Sequence, residues 1–357
     1  MFQGGKKNQC CTKAFDTMAT IRDVARLAGV SISTVSLALN APDRVSVDTR
    51  RRVVDAARDV GFSANPIAQS LKRGRSRLIG MVVADITNPF FGRLLREIER
   101  CATEADYLVV VNDTNASAAN ERAILHHLSG QRVAGIILSP HGIDQTNIDL
   151  IRDLPMPFVL FDHRLPDVEA DYVGTDNELA SAMLTEHLVR LGHTRIALIG
   201  GTAGLYTAER RREGYENTLR AHGIAVDPDL MVDGRYDGQG GYDAAMQLLT
   251  RPRNRPTAIL AASNVMAIGA LQACNELSVT CPDDISLAGI DDVPWSNVIR
   301  PRITAAVQPV DDMARAACRM LMERISHSKD AVIAPRTAVL PPRLVIGEST
   351  APPRGPS

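Results

Sequence analysis

Two kinds of periodicity divide the chain. Between Thr20 and Gly61, apolar residues recur at helical spacing. Ile21, Val24, Ala25 and Ala28 share one face, Val35 and Leu39 a second, and Val53, Ala56, Ala57 and Val60 a third. Thr20 is placed to cap the first helix with Asp23 in capping-box position, and Gly29 stops it where a left-handed residue belongs. Ser31 is placed to cap the second, and after the loop-forming Asn40-Ala41-Pro42-Asp43 either Ser46 or Asp48 starts the third. Helix, tight glycine turn, helix is the spacing of a helix-turn-helix. Asn65-Pro66 then opens a short segment, IAQSLKR, ended by Gly74. With only Ile67, Ala68 and Leu71 to bury, that segment is marginal or unfolded by itself.

From Leu78 the pattern changes. LIGMVVA, YLVVV, AGIILS, FVLF, RIALIG, TAILAA and ISLAGI are short, almost continuous apolar runs, as expected of strands buried on both faces. Helical stretches lie between them, such as FFGRLLREIERCA, with Phe91, Leu94, Leu95 and Ile98 on one side. The alternation predicts doubly wound parallel α/β structure, and its length suits two such subdomains with a cleft between. Polar groups for a site are then expected where strands end: Asp85 after LIGMVVA, Asp162 after FVLF, Asn264 after TAILAAS and Asp291 after ISLAGI.

The expected organisation is therefore a disordered tail over 1–18, a helix-turn-helix domain over 19–63, a hinge helix and linker over 64–77, and a core over 78–347. Within the core, one subdomain takes 78–174 and 310–336 and the other 175–309 and 337–347, leaving a loose tail over 348–357.

Charge sharpens this division. The whole chain carries a formal net charge of only −1, yet Thr20–Arg77 holds eleven basic residues against five acids. A basic module on a mildly acidic body attracts a phosphate backbone, with salt-dependent binding. The six cysteines are too sparse for a disulfide scaffold and fit no zinc spacing, so all six are read as reduced thiols. No apolar run reaches membrane-spanning length and no signal-peptide stretch opens the chain, so the cytosol is expected.

TIRDVARLAGVSISTVSLALN (Thr20–Asn40) resembles the lactose- and galactose-repressor family of bacterial regulators. The resemblance continues through NPIAQSLKRGRSRLIGMVVADITNPFF, HLVRLGHTRIALIGG, PTAILAASNVMAIGAL and DDISLAGIDDVPW, several motifs in the right order covering essentially Met18 to Thr350. It implies a transcription repressor with a DNA-binding headpiece, a hinge helix and a core like that of periplasmic sugar-binding proteins. It also implies a homodimer on a palindromic double-stranded operator and a small-molecule effector, a sugar or sugar derivative, in the cleft.

In a helix-turn-helix the early positions of the second helix reach base edges, here Ile32 and Ser33, with Leu37 one turn on. The resemblance implies phosphate contacts for Thr20, Ser31, Thr34, Ser36 and Asn40, whose short polar groups suit positioning. Ser31 can equally be only a cap. Position 37 departs from the common family arginine; leucine cannot read guanine bidentately but can touch a thymine methyl. Asn65, Ala68 and Leu71 belong to the implied hinge contacts, Leu71 as a wedge in the minor groove.

In the core the resemblance makes Arg211 and Asp291 the ligand-contacting pair. Around them it sets Asp162, Asn264, Gln308 and an aromatic shelf of Phe90, Phe91 and Tyr236; Asp85 completes the expected set. A guanidinium fork and carboxylates suit vicinal hydroxyls or a sugar acid. Phe90 could instead pack in the core, and Asp162 could brace a loop.

No cofactor, metal site or catalysis is expected. Gly200-Gly201-Thr202-Ala203-Gly204 follows a strand but lacks the dinucleotide-binding spacing, and neither a Walker-A lysine nor a G-x-S-x-G elbow occurs. A periplasmic-type sugar-binding protein without a DNA role is the alternative, and the basic headpiece opposes it.

Overall fold

The computed structural model describes residues 19–62, 76–141, 144–165, 167–327 and 334–354. The chain divides into two compact units, residues 1–74 and 75–357.

The first unit is three helices, α1 (Ile21–Ala28), α2 (Ile32–Asn40) and α3 (Val47–Asp59), closed over Val24, Ala25, Ala28, Val35, Ala38, Val53, Ala56 and Ala57. The Asp23 carboxylate accepts from the Thr20 backbone N–H at 3.0 Å and from its hydroxyl at 2.7 Å, fixing the start of α1. Gly29 ends it at φ 64°, ψ 37°, a conformation that costs a side-chain-bearing residue more. Ser46 rather than Asp48 caps α3, its Oγ accepting from the Thr49 N–H at 3.3 Å. The tail expected over 1–18 lies outside the described residues, as does the hinge expected over 64–77 apart from Ser76 and Arg77.

The second unit holds two six-stranded sheets. In the first lobe β1 (Leu78–Val83), β2 (Leu108–Asp113), β3 (Gly135–Leu138), β4 (Phe158–Phe161), β5 (Asp171–Thr175) and β11 (Thr337–Leu340) pair in the order β11-β5-β4-β3-β1-β2. In the second, β6 (Ile196–Gly200), β7 (Met231–Asp233), β8 (Ala258–Ala261), β9 (Ser286–Ile290), β10 (Thr304–Val307) and β12 (Arg343–Val345) pair as β12-β10-β9-β8-β6-β7. Every pairing is parallel except β10 with β12. Helices α4 (Pro89–Glu104), α5 (Ala118–Gly130), α6 (Gln145–Arg152) and α11 (Val310–Ser326) belong to the first lobe. The second takes α7 (Asn177–Arg190), α8 (Tyr206–Ala221), α9 (Gly238–Leu249) and α10 (Asn264–Glu276).

Two boundaries differ from the sequence reading. Residues 337–340 belong to the first lobe, because β11 pairs with β5 in parallel from Thr337 opposite Tyr172 to Leu340 opposite Thr175. Only β12 of the stretch 337–347 joins the second sheet. The supposed loose tail is also anchored through Arg354. Ser349 is fully buried, its Oγ accepts from the Thr304 N–H at 2.9 Å, and the Ser286 hydroxyl accepts from the Ala351 N–H at 3.0 Å. This segment carries no apolar periodicity because hydroxyl and main-chain hydrogen bonds hold it. His193 is its inner bracket: buried, with ring nitrogens 2.9 Å from Thr257 Oγ1 and 2.9 Å from the Ala351 carbonyl.

The return of the chain to the first lobe depends on one buried carboxylate. Asp171, with no solvent exposure, opens β5; it accepts from Arg324 of α11 at 2.8 Å through both Nε and Nη2 and from the Arg336 main chain and guanidinium at 2.8 Å. Burial alone would raise this carboxyl, but the two arginines overcome it and hold it at about 2. The ionised form therefore stabilises the fold above the unfolded value of about 3.9, and that contribution is lost as pH falls through about 2. Asp171→Asn strands two guanidinium groups and is expected to cost about 3 kcal/mol in urea unfolding at pH 7. The gap from wild type should close near pH 2; equal stability at pH 7 would show that the network is not structural.

Candidate functional site

In the first unit the exposed face of α2 is its chemistry. Val35 and Ala38 point into the core, while Ile32, Ser33 and Leu37 lie outward and Ser36 is half-buried beside them; Ile32 is 46% and Leu37 40% exposed. Ser31 does cap α2, its Oγ accepting from the Thr34 N–H at 3.1 Å, and it also lies 2.7 Å from the Ser33 hydroxyl and 2.8 Å from that of Thr34. A small hydroxyl cluster thus stands at the positive end of the helix dipole, a suitable anion-facing surface. Thr20 is exposed, and so is every arginine of the described headpiece: Arg22, Arg26, Arg44, Arg50, Arg51, Arg52 and Arg58. Asn40 ends α2. Asn65, Ala68 and Leu71 lie outside the described residues.

In the second unit all nine expected core residues come to the wall of one cavity of about 320 Å³, lined from both lobes. Parallel strands explain the convergence. Asp85 follows β1, Asp162 follows β4, Asn264 follows β8, Asp291 follows β9 and Gln308 follows β10. Phe90 and Phe91 start α4, packed edge to face with ring centroids 5.1 Å apart. Both are also core residues, 7% and 6% exposed, so packing and cavity lining coincide. Tyr236 stands between β7 and α9 with its hydroxyl 2.9 Å from Thr207 Oγ1.

Arg211 is singled out from its arginine neighbours by burial. Arg210 pairs with Glu178 and Glu213, and Arg212 with Glu216, whereas Arg211 is 5% exposed. Its Nε donates to Asn177 Oδ1 at 2.7 Å and its Nη1 to the Ala262 carbonyl at 2.6 Å, with the guanidinium 5.8 Å from the Tyr236 ring centroid. Asp291 accepts from the Gln308 main-chain N–H at 3.2 Å and from the Gln308 amide. Burial pushes its carboxyl up to about 6 against the opposing pull of Arg211.

Four buried polar atoms on this wall have no hydrogen-bond partner: Asp162 Oδ1, His163 Nδ1, Asn264 Nδ2 and Gln308 Oε1. Buried polar groups are normally satisfied, so such a cluster around one cavity marks groups that await a ligand's own polar atoms. His163 was missed by sequence reasoning, although its place directly after Asp162 was a signal; burial lowers its pKa and keeps the ring neutral. Asn177, which aims Arg211, was missed because β5 before it was not read as a strand. Gly201 is explained by an aromatic ring, since a Cβ there would lie 2.0 Å from Tyr236 Cε2. Among the described residues, no group of three His, Cys, Asp or Glu side chains is placed to hold a metal ion.

The family described as bacterial regulatory proteins, lacI family, matches residues 20–65, and the periplasmic binding protein-like domain matches residues 185–350. The chain is 35% identical over 314 residues to the HTH-type transcriptional repressor CytR of Escherichia coli (strain K12), covering 88% of this chain and 92% of that protein. It is 33% identical to the ribose operon repressor of the same strain, covering 87% and 94%. Among solved structures, a LacI family transcriptional regulator from Enterococcus faecium with bound ribose is similar, with a TM-score of 0.69 and 26% identity over 78% of this chain and all of that one.

The position of Asp291 gives a stability prediction. Its folded-state value lies above the unfolded one, so the fold is favoured by the proton and loses that advantage as pH rises through about 6. Asp291→Asn is expected to melt above wild type at pH 8, with the difference gone at pH 4. Calorimetric scans across this range check it; a difference independent of pH would mean that burial does not dominate at Asp291.

Proposed function

The chain belongs to the lacI family of bacterial regulatory proteins, and from that premise we propose a DNA-binding transcription repressor whose operator affinity is set by a neutral sugar bound in the core cavity. The observation that carries the ligand reading is the cluster of four unpartnered buried polar atoms around one cavity. Asp162 Oδ1 and Gln308 Oε1 are acceptors and Asp291 adds a carboxylate, while Asn264 Nδ2 and the N–H groups of Arg211 not given to Asn177 and Ala262 are donors. Such a wall asks its ligand for donors and acceptors together, which hydroxyl groups supply and a carboxylate, an acceptor only, does not. Phe90 and Phe91 offer an apolar surface for the ring face of a sugar. The bound ribose of the Enterococcus faecium regulator and the name of the ribose operon repressor support a pentose as the first ligand to test.

For DNA, α2 enters the major groove with Ile32, Ser33 and Leu37 toward bases, while Thr20, Ser31, Thr34, Ser36 and Asn40 position it on phosphates. Asn65, Ala68 and Leu71 of the hinge reach the minor groove, Leu71 as the wedge. The protein acts in the cytoplasm as a homodimer, so two headpieces meet two half-sites of a palindrome. Ligand and operator act on each other reciprocally because each prefers one conformation of the core.

Three experiments test this reading. Thermal-shift screening with D-ribose, ribonucleosides, neutral disaccharides and sugar acids should give stabilisation by a neutral member. Arg211→Lys keeps the charge but loses the planar fork, and should weaken that ligand by roughly 1.5–3 kcal/mol in calorimetry. Response to sugar acids alone would overturn the neutral-sugar assignment. On the DNA side, Leu37→Arg should shift a randomised-operator selection toward guanine at one position of each half-site, since arginine brings two donors to O6 and N7. An unchanged selection would mean that position 37 does not face bases.

A further inference from the structure

Helices α4 and α11 run side by side in matched register. Arg93 of α4 donates to Asp311 of α11 at 3.0 Å, and one turn further Arg315 of α11 donates to Glu97 of α4 at 3.4 Å. The next turn on each brings Cys101, four residues beyond Glu97, and Cys318, three beyond Arg315, since positions three and four apart share a helix face. The seam between the helices is lined by the buried small side chains of Ala102, Ala314 and Ala317, which let the backbones approach closely. This register sets the Cys318 side chain beside that of Cys101 across the seam. Both are free cysteines, Cys101 partly exposed and Cys318 buried at 2% exposure. The Arg100 guanidinium, paired with Glu97 and Glu104, also donates to Cys101 Sγ at 3.8 Å. Neither thiol lines the effector cavity or belongs to the DNA-facing helix.

We propose that Cys101 and Cys318 form an oxidisable dithiol in which a peroxide attacks Cys101 and Cys318 resolves the product into a disulfide bridging α4 and α11. In the first step the Cys101 thiolate sulfur attacks one peroxide oxygen, the O–O bond breaks, hydroxide leaves, and the sulfur is oxidised by two electrons to a sulfenic acid. In the second the Cys318 sulfur attacks the sulfenic sulfur, the S–S bond forms, the S–O bond breaks, and hydroxide departs with the Cys318 proton as water. The net change is two thiols and one hydrogen peroxide to one disulfide and two waters. The order follows from position: the partly exposed thiol beside Arg100 meets the oxidant, while burial pushes the Cys318 thiol up to about 12 and keeps it protonated until its neighbour is oxidised. Because α4 opens with the cavity residues Phe90 and Phe91 and α11 starts two residues after the cavity residue Gln308, the bridge ties together two helices that begin at the edge of the cavity.

The full chain, with Cys10 and Cys11 replaced by serine to remove unrelated thiols, is treated with hydrogen peroxide, blocked with iodoacetamide, and mapped by mass spectrometry without reduction. The expected result is a linked Cys101–Cys318 peptide that disappears on reduction. Cys318→Ala, which keeps the packing of a small buried residue, should instead accumulate a dimedone-reactive sulfenic acid at Cys101. Cys101→Ser should leave Cys318 unoxidised. Oxidation at Cys281 or Cys274 with Cys101 still open to iodoacetamide would overturn the proposal. So would irreversible oxidation of Cys101 with no linked peptide in the chain that retains Cys318; this last reading needs no variant at either position.

Discussion

A strand packed on both faces has no room for polar side chains along its length, so its chemistry must wait until it ends. When neighbouring strands are parallel, they all end at the same edge. This constraint organises the core of the protein. β1 and β4 of one sheet and β8, β9 and β10 of the other are almost wholly buried, and each is followed within three residues by a polar group of the cavity. The interior is left to aliphatic packing, and the ligand-facing groups are carried on short, well-anchored strand ends rather than on long loops.

The same constraint explains what could be read in the sequence. A run such as LIGMVVA announces a doubly buried strand, and the first polar residue after it announces a candidate for the site; Asp85, Asp162, Asn264 and Asp291 are of this kind. The unread strands are those whose burial is not achieved by large aliphatic side chains. β5 begins with an aspartate that is buried only because Arg324 and Arg336 neutralise it, β10 is built from small residues, and β7, β11 and β12 are short edge strands. Long-range partners of this sort leave no local signature. For the same reason His163 and Asn177 escaped: one depends on a cavity, the other on an arginine thirty-four residues away. In the headpiece, by contrast, caps, the glycine stop and the apolar stripe are all local, and the three helices could be read almost to their ends.

Two units with different physics share the chain. The headpiece is small, held by a core of alanines and valines, and keeps Ile32 and Leu37 on its surface. Both stand on the face of α2 that the proposed reading turns toward DNA, opposite the side that Val35 and Ala38 bury in the core. The core is larger and stores its unsatisfied polar groups inside. One unit thus carries its candidate contacts on an exposed helix face, and the other presents polar groups inward to one cavity.

The threading of the chain through the two lobes bears on how the protein is made. The first lobe begins at Leu78 but is completed only by α11 and β11, and the second needs β12 and the anchored segment through Arg354. A ribosome that has finished β5 has exposed most of one sheet without the helix that covers it or the strand that closes its edge. Neither lobe can close until nearly the whole chain has emerged, whereas the headpiece can fold as soon as its three helices leave the exit tunnel. During synthesis, a nascent chain would therefore carry a finished DNA-reading module ahead of an unfinished sensor, and its exposed apolar sheet faces would be the surface on which chaperones act.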